Sequence, residues 1–303
     1  MKYIVIALVS AALANGNQSS LRTRAQPYLE SALAAGDAFV NISSASGLPN
    51  ISADSLVTAF GDNLALRTES APPPYAMNLG GITLNVVDSN HAVRYARLLY
   101  ASPTRVDYLM PPGTAPGTAT IHIDREVCAA ALPNVFPTEP CGVSSTAQIQ
   151  NVAPALFTAN ANGRGVVIAA AYRSILGSGG LVAGSVPVYE CGTRAGSCVS
   201  LPINLGLDTP VLVMFYATGL RGRSSDSALK LTIGGQVISN RRVQFQDDSE
   251  LTCGPVRQIC AAAGVDLVFA TLPLSLRGRG EVDVVISSDG RTSNAGRIRI
   301  GDN

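Results

Sequence analysis

From Ala38 onward the chain is written with a period of two. Short runs rich in Val, Ile, Leu, Thr and Tyr are separated by Gly, Pro, Asn and Asp, the pattern of many short strands. The first half offers Ser55–Phe60, Ile82–Val87, Arg94–Tyr100, Val106–Met110 and Thr118–Ile123. The second offers Val166–Tyr172, Val186–Glu190, Val211–Ala217, Leu229–Ile233, Val265–Ala270 and Glu281–Ser287. No long amphipathic helix alternates with them, which selects antiparallel sandwiches over a parallel α/β sheet. The run Val211–Ala217 is apolar throughout and belongs deep in a core.

With 303 residues, a prior of about 150 residues per domain gives two domains. The halves repeat one another. Ser55-Leu-Val-Thr-Ala-Phe-Gly-Asp-Asn-Leu64 lines up with Val211-Leu-Val-Met-Phe-Tyr-Ala-Thr-Gly-Leu220, and Val106-Asp-Tyr-Leu-Met-Pro-Pro112 with Val265-Asp-Leu-Val-Phe-Ala-Thr-Leu-Pro273. The expected order is a signal peptide at 1–14, a leader at 15–37 with a short helix over Pro27–Ala35, and a sandwich at 38–125. A connecting segment at 126–165 and a second sandwich at 166–303 complete it. Few or no helices are expected beyond that N-terminal segment.

The start has its own logic. Met1 and Lys2 precede the apolar run Tyr3–Val9, and Ala12-Leu-Ala14 supplies an A-x-A exit. That is the form of a secretory signal cleaved after Ala14, competing with a buried N-terminal strand or helix. The run falls short of the ~20 residues a membrane span requires. Six cysteines agree with export and suggest three local pairs: Cys128–Cys141, Cys191–Cys198 and Cys253–Cys260. None has the gap of a zinc knuckle, and no C-x-x-C occurs. Structural disulfides are therefore expected, with no metal and no cofactor.

Charge narrows the partners. With 22 basic against 21 acidic residues and 14% charged overall, no concentrated cationic surface is expected, so nucleic acid is not the expected partner. With 47% hydrophobic residues the chain also lies far from disordered composition.

The ordered motifs Val40-Asn-Ile-Ser-Ser-Ala-Ser, Ser55-Leu-Val-Thr-Ala-Phe-Gly-Asp-Asn-Leu-Ala65, Tyr100-Ala-Ser-Pro-Thr-Arg-Val-Asp107 and Pro112-Gly-Thr-Ala-Pro-Gly-Thr-Ala-Thr120 come first. Ala153-Pro-Ala-Leu-Phe-Thr158, Ala217-Thr-Gly-Leu-Arg-Gly-Arg-Ser-Ser225 and Leu272-Pro-Leu-Ser-Leu-Arg-Gly-Arg-Gly-Glu-Val-Asp-Val-Val285 follow. Over about residues 38 to 301 the chain resembles the C-terminal domain family of exported Solibacter and related Acidobacteria proteins. The resemblance implies tandem immunoglobulin-like sandwiches of the IPT/TIG kind and an exported location. It carries over no catalytic residues. The segment Arg241–Cys260, longer and charged, departs from the family pattern.

Catalytic signatures are sparse. His91 and His122 are the only imidazoles. His91 belongs to a polar turn, and His122 alternates with Ile121 and Ile123, which turns it to solvent. The sequence has no G-x-S-x-G elbow, no H-E-x-x-H and no P-loop. Asp107 and Asp266 hold equivalent repeat positions, which favours structural roles over an acid/base pair. Asp247, Asp248 and Glu250 form an acidic cluster that fits no calcium loop, and a solvated loop is expected.

Arg221 and Arg223, with Arg277 and Arg279, sit in Gly-flanked loops. Two readings stand side by side: an anion-binding patch, or turns whose arginines bind carbonyls and nearby acids. Sugar stacking favours flat aromatics; without Trp, a platform here falls to Tyr75 or Tyr189. The expectation is an exported, non-enzymatic pair of immunoglobulin-like β-sandwich domains for extracellular or cell-surface binding, adhesion or scaffolding. Its partner is a protein or polysaccharide, without membrane insertion. An accessory carbohydrate-binding module and a carboxylate hydrolase with an inter-domain site are the alternatives.

Overall fold

The computed structural model describes residues 41–44, 47–126, 142–177, 180–194, 196–206, 210–239, 241–245, 252–253, 260–261 and 263–302. The expected signal peptide, the leader helix, Cys128, Cys141 and the acidic trio Asp247, Asp248 and Glu250 lie outside them. The chain divides into two compact units, with the main boundary between Asn151 and Val152.

In the first unit, one sheet runs Asn41–Ser44, Leu56–Phe60, Arg105–Leu109, Arg97–Ser102 and Glu69–Ser70. The other runs Ile51–Ser52, Gly142–Gln150, Gly117–Arg125, Ile82–Val87 and Asn78–Leu79, with Val93–Tyr95 also paired to Ile82–Val87. Alternation then does the sorting, because successive strand residues face opposite ways. Val57, Ala59, Val106 and Tyr108 from one sheet meet Leu84, Val86, Ala119, Ile121 and Ile123 from the other in one buried cluster. Counting the seven main strands, the first, second, fifth and fourth share a sheet and the third, sixth and seventh share the other. That is the division of an immunoglobulin fold.

The second unit repeats it. One sheet runs Gly180–Val186, Ala169–Gly177, Val211–Thr218, Asp266–Thr271 and Arg241–Phe245; the other runs Pro202–Ile203, Gly296–Ile300, Gly280–Ser288, Lys230–Ile233 and Gln236–Val237. In both units a two-residue strand lies parallel to the final strand, Ile51–Ser52 on Gly142–Gln150 and Pro202–Ile203 on Gly296–Ile300. Phe215, Val268 and Ala270 pack against Leu231, Val284, Ile286 and Ile298. The molecule is thus all-β, two immunoglobulin-like sandwiches in succession. Among the described residues, single 3-10 turns occur at Asp226–Ala228 and Leu274–Leu276.

Three strands differ from the sequence pattern for identifiable reasons. Gly142–Gln150, within the expected connecting segment, is the last strand of the first unit; it gives Val143 and Ile149 to the core, with Ala147 packed against it. Arg94–Tyr100 is two strands rather than one. The chain crosses between sheets at Ala96, which is fully buried and donates its N–H to the Leu84 carbonyl at 2.9 Å. Arg241–Phe245 extends the second unit's first sheet against Asp266–Thr271, so part of the charged insert is sheet.

Opposite sides of one strand make the arrangement testable. Ile121→Ala removes core atoms from between the sheets and is expected to cost about 2–5 kcal/mol. His122→Ala, one residue on, should change stability by no more than about 0.5 kcal/mol. Urea unfolding of both variants measures the contrast; equal effects would contradict this register.

Candidate functional site

The arginine loops resolve into internal bonding. Strand Val211–Thr218 runs into a turn at Gly219, whose φ of 80° suits glycine. The next N–H, of Leu220, donates to Asp266 Oδ2 at 2.8 Å, and Arg221 Nε faces Asp266 Oδ1 at 3.5 Å. Arg223 bonds the Leu220 carbonyl at 3.2 Å and the Asp226 carboxylate. Arg277 donates to the Gly206 carbonyl, and Arg279 to the Gly234 carbonyl at 2.9 Å. Of the two readings of these four residues, carbonyl and acid binding describes the observed contacts. Arg221 and Arg223 meet around Asp266, whereas Arg277 and Arg279 serve two other turns.

Asp107 and Asp266 are not equivalent. Asp107 pairs with Thr58 across the sheet and Asp266 with Ala217, yet the repeat alignment places Thr58 opposite Met214. Their faces differ too. Val106 and Tyr108 point into the core, so Asp107 points away from it. There it receives Arg105 Nε and Thr58 Oγ1, each at 2.8 Å. Asp266 shares the core-facing alternation of Val268 and Ala270. Both carboxylates are buried and tied into their own sandwich.

Burial pushes the Asp266 carboxyl up to about 7, against the opposing pull of the Leu220 N–H and of Arg221 and Arg223. An unfolded Asp titrates near about 4. Between those values the folded chain holds a proton that the unfolded chain has lost, so this group's contribution to stability falls as pH rises through the window. Its ceiling is about 4 kcal/mol. Asp266→Asn cannot ionise. Wild type should therefore lose stability relative to Asp266→Asn between about pH 4 and about pH 8 in thermal unfolding. A pH-independent difference would contradict the buried, neutral carboxyl.

The second unit also contains the Cys191–Cys198 disulfide, which closes the ribbon of Tyr189–Cys191 on Cys198–Ser200. In the insert, strands Thr252–Cys253 and Cys260–Ala261 set Cys253 opposite Cys260 in backbone register. Shallow hollows of about 410 and 430 Å³ flank the final strand of this unit and share Gly280 and Arg299. No group of three or more potential metal ligands occurs among the described residues.

A different surface carries the unexpected chemistry. On the second sheet of the first unit, the outward residues form cross-strand rows. Ser144, His122, Asn85 and Tyr95 make one row; Thr146, Thr120, Val87 and Val93 make the next. Beyond these lie the Gln148–Thr118 pair, bonded at 2.7 Å, and the Asp124–Thr83 pair. Asn85 Nδ2 donates to Asp124 Oδ2 at 2.9 Å. Among the outward positions of these four strands, Asp124 carries the one carboxylate and there is no Lys or Arg.

The corresponding face of the second unit carries Lys230, Glu281, Asp283, Arg297 and Arg299. There Arg297 lies 3.6 Å from Glu281 and 3.4 Å from Asp283. Tyr95 is the aromatic of the first unit's face and is 57% exposed. Its neighbour Arg94 turns the other way and pairs with Asp88, which also accepts the Ala115, Ala92 and Asn90 amides at 3.0 Å. The Ala115 bond is the largest influence holding the Asp88 carboxyl below the usual range.

The aromatics named from sequence are placed differently. Tyr75 is 5% exposed and unable to form a platform, and Tyr189 is half-buried against the second core. His91 occupies the expected turn, with a φ of 61° and its N–H on the Asp88 carbonyl at 2.9 Å. His122 faces away from the core, as its alternation implied. Tyr95 was within reach of the sequence: it lies two residues from Val93 in a period-two run, but the merged Arg94–Tyr100 strand hid its exposure.

Fold and surface together define a two-domain immunoglobulin-like β-sandwich protein. No family model and no curated protein matches the chain. Solved structures do match. One, a "Putative bacterial DNA binding protein" from Bacteroides vulgatus, is 17% identical, with a TM-score of 0.22, over 33% of this chain and 40% of that one. At that similarity it bears on neither fold nor function.

Proposed function

We propose that the protein is an exported, non-enzymatic binding module that attaches to a partner of the cell exterior and serves adhesion or scaffolding. The observation that carries this reading is the short-chained, nearly uncharged outer face of the first sandwich. It is held on four paired strands, in a molecule whose second sandwich bears charges at the corresponding place. A rigid sheet presents such a surface with little ordering cost on binding. The Cys191–Cys198 disulfide is in keeping with an oxidising compartment. The resemblance to exported acidobacterial domains points the same way.

The test is co-sedimentation of the oxidised chain with native cell envelopes. Saturable binding is expected, weakened at least about tenfold by Thr146→Lys, which plants a desolvated charge on the face. Arg299→Ala, on the corresponding strand of the second unit, should leave it unchanged. Binding that is unsaturable, or indifferent to Thr146→Lys, would refute the reading.

A further inference from the structure

Resting on the reading of this face as the binding surface, we infer that its partner is a neutral polysaccharide lying across the strands Val93–Tyr95, Ile82–Val87, Gly117–Arg125 and Gly142–Gln150. Charge is the first argument, and the molecule supplies its own comparison. Solvated sheet faces ordinarily carry long charged side chains, as the second unit does with Lys230, Glu281, Asp283, Arg297 and Arg299. The first unit, built on the same strand order, keeps Asp124 alone among the outward positions of these strands. A polyanion would find no counter-charge there, and a polycation only one.

The groups present match hydroxyl-rich matter. Thr120, Thr146 and Ser144 supply hydroxyls that both donate and accept, and Asn85 adds an amide with the same dual capacity. The outward positions span roughly 20 Å along the strands and roughly 14 Å across them, room for an extended chain. At its edge the exposed Tyr95 ring offers a π-face to the C–H side of a sugar. Its strand is fixed from behind by the Arg94–Asp88 pair and the amides around that carboxylate. A second copy of this chain is the poorer occupant. The cores of homodimer interfaces are more apolar than ordinary surface, and here the apolar positions Val87, Val93 and Tyr95 are confined to one edge.

The experiment is co-sedimentation of the oxidised full chain with microcrystalline cellulose, chitin, an insoluble β-1,3-glucan and, as the anionic probe, calcium pectate. Saturable binding to at least one neutral polymer is expected. It should be little changed between about 0.05 and about 0.5 M salt. Tyr95→Ala and Thr146→Lys should each weaken it at least about tenfold, while Tyr95→Phe, which keeps the ring, retains most of it. Thermal unfolding of each variant verifies that the fold is intact. The inference is overturned if no neutral polymer binds, if pectate binds in their place, or if binding survives both disruptive substitutions. Envelope binding that Thr146→Lys abolishes, with no polysaccharide bound, would overturn the partner and leave the surface standing. A concentration-dependent dimer abolished by Thr146→Lys would assign the face to a second copy.

Discussion

Everything in this molecule depends on burying alternate side chains between two sheets, twice over. A strand places neighbours on opposite faces, so each apolar residue committed inward leaves the next one facing out. Along Gly117–Arg125, Ala119, Ile121 and Ile123 close the first core and thereby turn Thr118, Thr120, His122 and Asp124 outward. The outward face is a by-product of core formation, and its chemistry is set by residues the core does not use. In the second unit Val282, Val284 and Ile286 play the inward part, and two of the freed positions, Glu281 and Asp283, are charged.

Buried polar residues follow a different rule. Asp107, Asp266, Asp88 and Arg105 are buried, and the contacts each makes belong to the fold: Asp107 with Arg105 and Thr58, Asp266 with Leu220 and Arg221, Asp88 with three amides and Arg94. Buried charge without partners is costly, so such groups appear where they can be matched. Arg277 and Arg279 each hold a turn by donating to a backbone carbonyl, Gly206 and Gly234 in turn.

Much of this was legible in the sequence, and what was not has physical reasons. Strands whose inward residues are large, such as Ile82–Val87 and Val211–Thr218, announce themselves. Gly142–Gln150 and Gly296–Ile300 do not, because one sets Ser145 and Ala147 between its inward Val143 and Ile149 and the other is brief and rich in Arg. The crossing at Ala96 is silent, since period-two patterning continues through a change of sheet. Register is equally invisible: Asp107 and Asp266 share a Val-Asp context yet point to opposite sides of their sheets. The nearly uncharged face needed that register, because its rows join residues from four separated segments.

Register is accordingly the claim on which the account turns. A slip of one residue would exchange the faces of the strand, sending His122 inward and Ile121 out. Cross-strand backbone NOEs, amide–amide on one side and Hα–Hα on the other, measure this directly in the protonated, oxidised chain. The account predicts contacts linking His122 with Ser144 on one side and with Asn85 on the other. NOEs that instead pair Ile121 with Ser144 or with Asn85 would contradict both the face and the function built on it.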